Sequence, residues 1–425
     1  MKTLIQNARV LDPASRTDQV MNVLLDGDRI AAFAPGLSDP EAVCVDATGL
    51  WLFPGLIDIH VHLREPGFEG KETIYTGTRA AAAGGVTAVC CMANTNPPID
   101  NKTGVEFIQE RVAKTGCVRV YPIGTVTKGM EGKELAPLGE MIEAGAVGFS
   151  DDGRGVMDTQ VMRRILEYST IFGTPIISHE EDHSMTENCH MNEGQMSVKL
   201  GMIGMPREAE TIIIARDLIL AGKTGAHIHF AHVSTKESVD LIRFYKNKGV
   251  KATAETAPHY LLLTEEAVEG FNTNAKMNPP LRTREDQDAL VEGILDGTID
   301  CIATDHAPHS VYDKDQEFPL APFGIVGLET LLPLLLNQIQ EKLKLDVLSL
   351  LSLVTNKPAR VMRLPGGVLA PGAPADLVVW NPDPKWTIEK SRFYSKSRNT
   401  PFDGWPVQGK VHATYVAGKP VYPFT

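Results

Sequence analysis

The chain has 425 residues, 43% of them hydrophobic and 22% charged, with a formal net charge of −12. That length accommodates one large domain and a smaller one, and the negative balance without a basic cluster argues against nucleic acid as a partner. No apolar run reaches the ~20 residues that span a bilayer; the longest, 328–336, is short and carries Glu329 and Pro333.

In chain order, the first residues lack the apolar core and small-residue cleavage site of a signal peptide, which makes a cytoplasmic location the expectation. Short strand-like runs follow at 4–11, 20–25 and 29–34, split by turn signals such as Asp26-Gly27-Asp28. The apolar run 52–62 ends in His60-Val61-His62. Alternate side chains of a strand share a face, so these two imidazoles can grip one metal ion. Arg64 adds a fixed cation beside it, and a metal next to a cation points to an anionic substrate. From residue 52 onward, strand-like runs recur at 87–93, 118–126, 146–150, 175–179, 227–233, 251–257 and 300–304. Helical patterns lie between most of them, at 73–83, 158–172, 207–221, 236–247 and 285–296. Eight strand-then-helix units predict a parallel sheet closed into a TIM-like (β/α)8 barrel over 52–364. The tail returns to strand signals at 375–380 and 411–416, with a turn at Gly418. Neither end has enough chain for its own core. Residues 1–51 and 365–425 are therefore expected to form one small β-sandwich domain. The six cysteines include no Cys-x-x-Cys pair and read as small buried hydrophobes in a reducing compartment.

Active sites of such barrels lie at the C-terminal ends of the strands. Reading only those positions collects His60 and His62, Ser150-Asp151-Asp152-Gly153, Ser178-His179, Ala231-His232 and Thr304-Asp305. Any one of these has a structural explanation: a lone histidine at a strand end is usually hydrogen-bonded framework, and Asp-Asp-Gly is usually a turn. Their recurrence on different strands is the signal. Imidazoles and carboxylates without thiolates suit zinc or a similar divalent ion. Four histidines and two aspartates exceed the needs of one ion and suit two ions sharing a carboxylate. His227 and His229 repeat the His-x-His spacing at the start of a strand, on the face opposite His232 by parity, and read as structural. His183 and His190 fall in the long excursion 181–206, with no strand to fix them. His259 lies past a strand and is given no role.

The chain resembles the dihydroorotase family of the amidohydrolase superfamily. The resemblance runs over nearly the full length. It rests on Asp58-Ile-His-Val-His-Leu-Arg-Glu-Pro-Gly67, Met92-Ala-Asn-Thr-Asn-Pro97, Ser150-Asp-Asp-Gly153, Ala231-His-Val-Ser-Thr235, Lys276-Met-Asn-Pro-Pro-Leu-Arg282, Ala303-Thr-Asp-His-Ala-Pro-His309 and Ala321-Pro-Phe-Gly324. The resemblance implies two zinc ions per subunit: His60, His62 and Asp305 on the first, His179 and His232 on the second. It also implies Asp152 as the bridge, in the manner of a class I bacterial subgroup that uses aspartate where many relatives use a carboxylated lysine; Asp151 is the competing choice. Asp305 would also be the catalytic proton-transfer group, working with a water activated by the ions. Substrate would be held by His62, Leu63, Arg64, Asn94, Asn278, His309, Phe323 and Gly324, with Arg64, Asn94 and His309 on a carboxylate. A guanidinium suits that task because its fork donates two parallel hydrogen bonds.

The implied reaction is the reversible cyclisation of N-carbamoyl-L-aspartate to L-dihydroorotate in de novo pyrimidine synthesis. The resemblance further implies a homo-oligomer and raises association with aspartate carbamoyltransferase. Two other readings compete. Allantoinase- or hydantoinase-type enzymes would share the metal residues but not the carboxylate-binding set. A non-catalytic paralogue that serves as a structural partner of the transferase would lack metal ligands, whereas all six candidates are present.

Overall fold

The structure, a computed structural model, describes residues 2–424. Eight parallel strands form the barrel: β1 (Leu56–Val61), β2 (Val86–Cys91), β3 (Arg119–Gly124), β4 (Gly148–Phe149), β5 (Ile176–Ser178), β6 (Ile228–Phe230), β7 (Ala252–Thr256) and β8 (Cys301–Ile302). Each pairs with the next in chain order. The ring closes past the end of β8, where Val61 bridges His306 in parallel and the His62 N–H donates to the His306 carbonyl at 2.8 Å. Asp58 reinforces that seam, its carboxylate accepting from the Thr304 N–H at 3.1 Å and the Thr304 hydroxyl at 2.5 Å.

The expected helices form with starts set by their caps. Thr73 caps Ile74–Ala83 in a capping box with Thr76, Asp158 caps Thr159–Ser169, Thr235 caps Lys236–Asn247, and Thr283 caps Arg284–Leu295 with Asp286. Such side chains satisfy backbone N–H groups that the first turn leaves unpaired. Glu208–Thr224 completes the expected set. A further helix, Lys102–Thr115, follows β2, and its patterning was not singled out from the sequence.

Both chain ends join one sheet of eight strands, seven in a single path and Val43–Asp46 paired beside Lys2–Asp12, folded as a small β-sandwich around Ile5, Val10, Val23, Leu52, Leu377 and Tyr415. One expectation is corrected here. The run 52–62 is two strands: Trp51–Pro54 pairs with Lys2–Asp12 and Leu377–Thr387, and only Leu56–Val61 enters the barrel. Gly55 makes the transfer. Its N–H donates to the Asp376 carbonyl at 2.9 Å, and a Cβ there would lie 2.1 Å from Thr87 Oγ1. The tail does not stay in the sheet. Ser395, Lys396 and Ser397 bond to Glu72 and Lys71, near the barrel mouth. No helix among the described residues is long and apolar enough to cross a membrane.

Candidate active site

Three site residues stand in the left-handed region of backbone space: Arg64 (φ 62°), His232 (φ 33°) and Asp305 (φ 47°). Each follows a strand end, where non-glycine residues adopt this conformation uncommonly. The turn at His232 explains why parity misplaces His229 relative to it. His232 lies two residues beyond β6, whose last residue is Phe230, so strand alternation no longer sets its direction.

Four histidines surround one carboxylate. Asp152 Oδ1 lies 3.6 Å from His60 Nε2, 3.5 Å from His179 Nδ1 and 3.8 Å from His232 Nε2, and Oδ2 lies 3.5 Å from His62 Nε2. Asp305 Oδ1 sits 3.1 Å from His62 Nε2 and 3.5 Å from His60 Nε2. Two sets, His60–Asp152–His232 and His60–His62–Asp305, bring one ligand atom per residue within 4.8 Å of one another, and all members are buried. The two neighbouring aspartates are thereby distinguished. Asp151 turns away, accepting from the Val126 N–H at 2.9 Å, the Thr127 N–H at 3.2 Å and the Thr127 hydroxyl.

The electrostatics fit a cation. Burial works to raise the pKa of Asp152, yet hydrogen bonds from His179, His232 and His60 hold it well below the usual carboxylate range. Asp305 is likewise lowered against burial, by the charge of His60 and its contact with His62. His179 is pushed up to about 10, against burial, by Asp152 and Glu181. Two carboxylates that stay ionised, with His60 and His179 drawn toward protonation beside them while burial lowers His232, form a site that favours positive charge. His60 Nε2, which faces both aspartates, is buried and has no hydrogen-bond partner. Four imidazoles and two carboxylates in this arrangement fit two divalent ions.

Behind the cluster stands a layer that sequence reading missed. Glu255 on β7 takes His60 Nδ1 at 2.7 Å and His229 Nε2 at 3.2 Å, and Thr253 Oγ1 lies 2.9 Å from both His229 and His227. The structural histidines are thus linked to the site through one buried carboxylate. Fixing one ring nitrogen sets which nitrogen faces a metal. A glutamate inside the apolar run of a barrel strand was the available signal. Glu181 plays a similar part at 3.1 Å from His179 Nε2 and 2.7 Å from Asn278 Nδ2.

Beside the cluster opens a cavity of about 330 Å³, whose lining includes His62, Arg64, Asn94, Asn278, Asp305, His309, Phe323 and Gly324. Asn94 bridges the two halves, taking His62 Nδ1 at 2.8 Å and donating to Asp152 Oδ2 at 3.1 Å. Arg64 Nε donates to the Pro308 carbonyl at 3.2 Å, and its Nη2 reaches His309 Nε2 at 3.4 Å. Burial, together with the cations of Arg64 and Lys71, pushes His309 down to about 2, so its ring is neutral. Leu63 is the exception among the expected substrate residues. It alternates with His62, and its side chain packs into the core against the Gly77 backbone rather than lining the cavity. His259 is buried beside Tyr260, outside that lining.

Comparisons with known proteins agree with this geometry. A family model described as dihydro-orotase-like matches residues 49–238, and one for an amidohydrolase family matches 242–422. The dihydroorotase of Syntrophotalea carbinolica is 49% identical over 422 residues, 99% of each chain. That of Pelotomaculum thermopropionicum is 49% identical over 421 residues, 99% of this chain and 98% of its own. Among solved structures, the L-hydantoinase (dihydropyrimidinase) from Arthrobacter aurescens superposes with a TM-score of 0.88 at 26% identity, covering 99% of this chain and 95% of that one. The dihydropyrimidinase from Brevibacillus agri gives 0.85 at 24% with the same coverage, a likeness of fold. Near-50% identity over almost every residue goes beyond a shared barrel: the chain belongs to the dihydroorotase family.

Proposed function

We propose that this enzyme interconverts N-carbamoyl-L-aspartate and L-dihydroorotate, the ring-closing step of de novo pyrimidine synthesis. One observation carries the reading: a carboxylate ringed by four imidazoles opens onto a cavity that holds Arg64 and neutral His309. His60, His62 and Asp305 would hold one divalent ion, His179 and His232 a second, and Asp152 both, an aspartate-bridged arrangement of the class I bacterial type. Zinc suits the nitrogen and oxygen donors. Bound ions supply an acidified water and a positive charge at the amide carbonyl.

The chain's own groups do the rest. Arg64, His309 and Asn94 hold the ring carboxylate, and Asn278 with the backbone at Phe323 and Gly324 takes the ring amides. Asp305, ionised beside His60 and His62, accepts the proton of the attacking water and returns it to the departing ring nitrogen. Ring closure runs the same transfers in reverse. Residues 1–54 with 365–425 act as the smaller domain, because Trp51–Pro54 pairs within its sheet, and 55–364 as the catalytic one. The working enzyme is a cytoplasmic homo-oligomer, which light scattering tests. Association with aspartate carbamoyltransferase is a separate expectation, tested by mixing the two proteins on a sizing column.

The test of function is a substrate panel. Metal-loaded protein should open L-dihydroorotate far faster than hydantoin or allantoin, which lack the carboxylate. A preference for hydantoin would replace this reading with a hydantoinase one.

A further inference from the structure

The wall that receives the substrate is irregular backbone, with Asn278 on one segment, His309 on a second and Phe323-Gly324 on a third. Irregular segments hold position only where their polar groups are paired. One buried ammonium touches all three regions. Lys314 closes the short helix Val311–Lys314, which begins two residues after His309. Its Nζ donates to the carbonyls of Pro322 at 2.8 Å, Gly324 at 3.1 Å and Lys276 at 3.3 Å. Burial and the neighbouring Lys276 bring its pKa down to about 7, and in the protonated form its three protons meet three carbonyls.

A second side chain converges on the same place from the C-terminal part of the chain. Asn399 Nδ2 donates to the carbonyls of Gly324 and Ala307, both at 3.0 Å, and Asn399 Oδ1 accepts the His309 N–H at 3.1 Å. The Gly324 carbonyl thus receives both Lys314 and Asn399. Gly324 itself has φ +119°, and a Cβ there would lie 2.6 Å from Ala307 Cβ, so this stretch is pressed against the neighbouring wall. Both clasping residues are buried, Lys314 at 5% exposure and Asn399 at 3%.

We infer that Lys314 and Asn399 are positioning residues that set the gap between His309, Gly324 and Asn278, and so determine affinity for the ring without touching it. The inference rests on the proposed substrate and on the roles given to those three residues. Neither clasp contacts the metal-facing cluster, so losing one should loosen substrate binding while leaving metal content alone. Ordering energy that the native clasp supplies in advance would then be drawn from substrate binding.

The experiment uses the full-length, metal-loaded enzyme and its Lys314→Met and Asn399→Ala variants. Metal content, kcat and KM for dihydroorotate hydrolysis are measured on each. The expected result is a KM raised at least 10-fold, kcat within about 3-fold and metal content unchanged. Unchanged KM in a folded variant overturns the inference, as does a kcat loss that tracks metal loss. If Lys314→Met does not fold, Asn399→Ala decides alone by the same criterion. Wild-type protein inactive on dihydroorotate would instead refute the proposed function, so the two failures are told apart by the parent enzyme.

Discussion

Arg64 carries the choice of substrate in this account, and its removal has a calculable effect. The guanidinium is buried, and burial brings its pKa down to about 10, so it stays charged at neutral pH. Its protein contacts are the Pro308 carbonyl and a neutral imidazole; among the described residues no carboxylate lies within ion-pair reach. A buried, charged group whose hydrogen-bond partners are neutral, with Asp305 and Asp152 acting on it only from a distance, has donors left for an anion. Removing one partner of such a charge-assisted contact typically costs about 2–5 kcal/mol. At about 1.4 kcal/mol per tenfold, the lower bound is roughly a 30-fold loss. Arg64→Ala should therefore lower kcat/KM for dihydroorotate by at least about 30-fold. Dihydrouracil, the same ring without the carboxylate, is the control, and metal content must be measured because His62 is two residues away. Equal losses on both rings with metal retained would refute carboxylate recognition by Arg64.

Asp305→Asn should lower kcat by about 10²-fold or more, the usual scale of a lost proton-transfer group. Asp152→Asn should chiefly lower metal content, because the amide lacks the second anionic oxygen; elemental analysis with steady-state kinetics separates the two. Glu255→Gln, which weakens the hold on His60, should lower metal affinity by about 10–100-fold in a competition titration. Glu329 gives a pH prediction. Burial pushes its carboxyl up to about 7 despite the N–H groups of Tyr394 and Ser395. Between its ordinary value and about 7 the folded state keeps a proton that the unfolded state has lost, so each rise in pH within that window favours unfolding. Glu329→Gln should flatten the fall of Tm across that range, and an unchanged slope would refute the assignment.

The clustered histidines and aspartates were legible because barrel geometry makes strand ends a short list, and five such ends carried imidazole or carboxylate. What supports them was not legible. Glu255 belongs to the site only because it meets His60 of β1 across the barrel interior and His229 on the adjacent β6, a relation that local pattern does not contain. Parity set His229 on the face opposite His232, but the chain turns left-handed beyond β6, and His229 joins the same buried network through Glu255. The split at Gly55 was hidden because 52–62 is apolar throughout, and only the approach of Thr87 and Asp376 shows where one sheet yields to another. Asp151 and Asp152 are identical in sequence terms and differ in which faces the histidines and which faces the loop after β3.

Under the proposed function, two divalent ions held by the six-residue cluster open a carboxylate-bearing ring. The direct measurement is exhaustive chelation followed by stepwise return of zinc, with bound metal counted and dihydroorotate turnover followed at each step. Activity should vanish on chelation and return as the ions rebind, saturating near two per chain. Full turnover in verified metal-free protein would contradict the account.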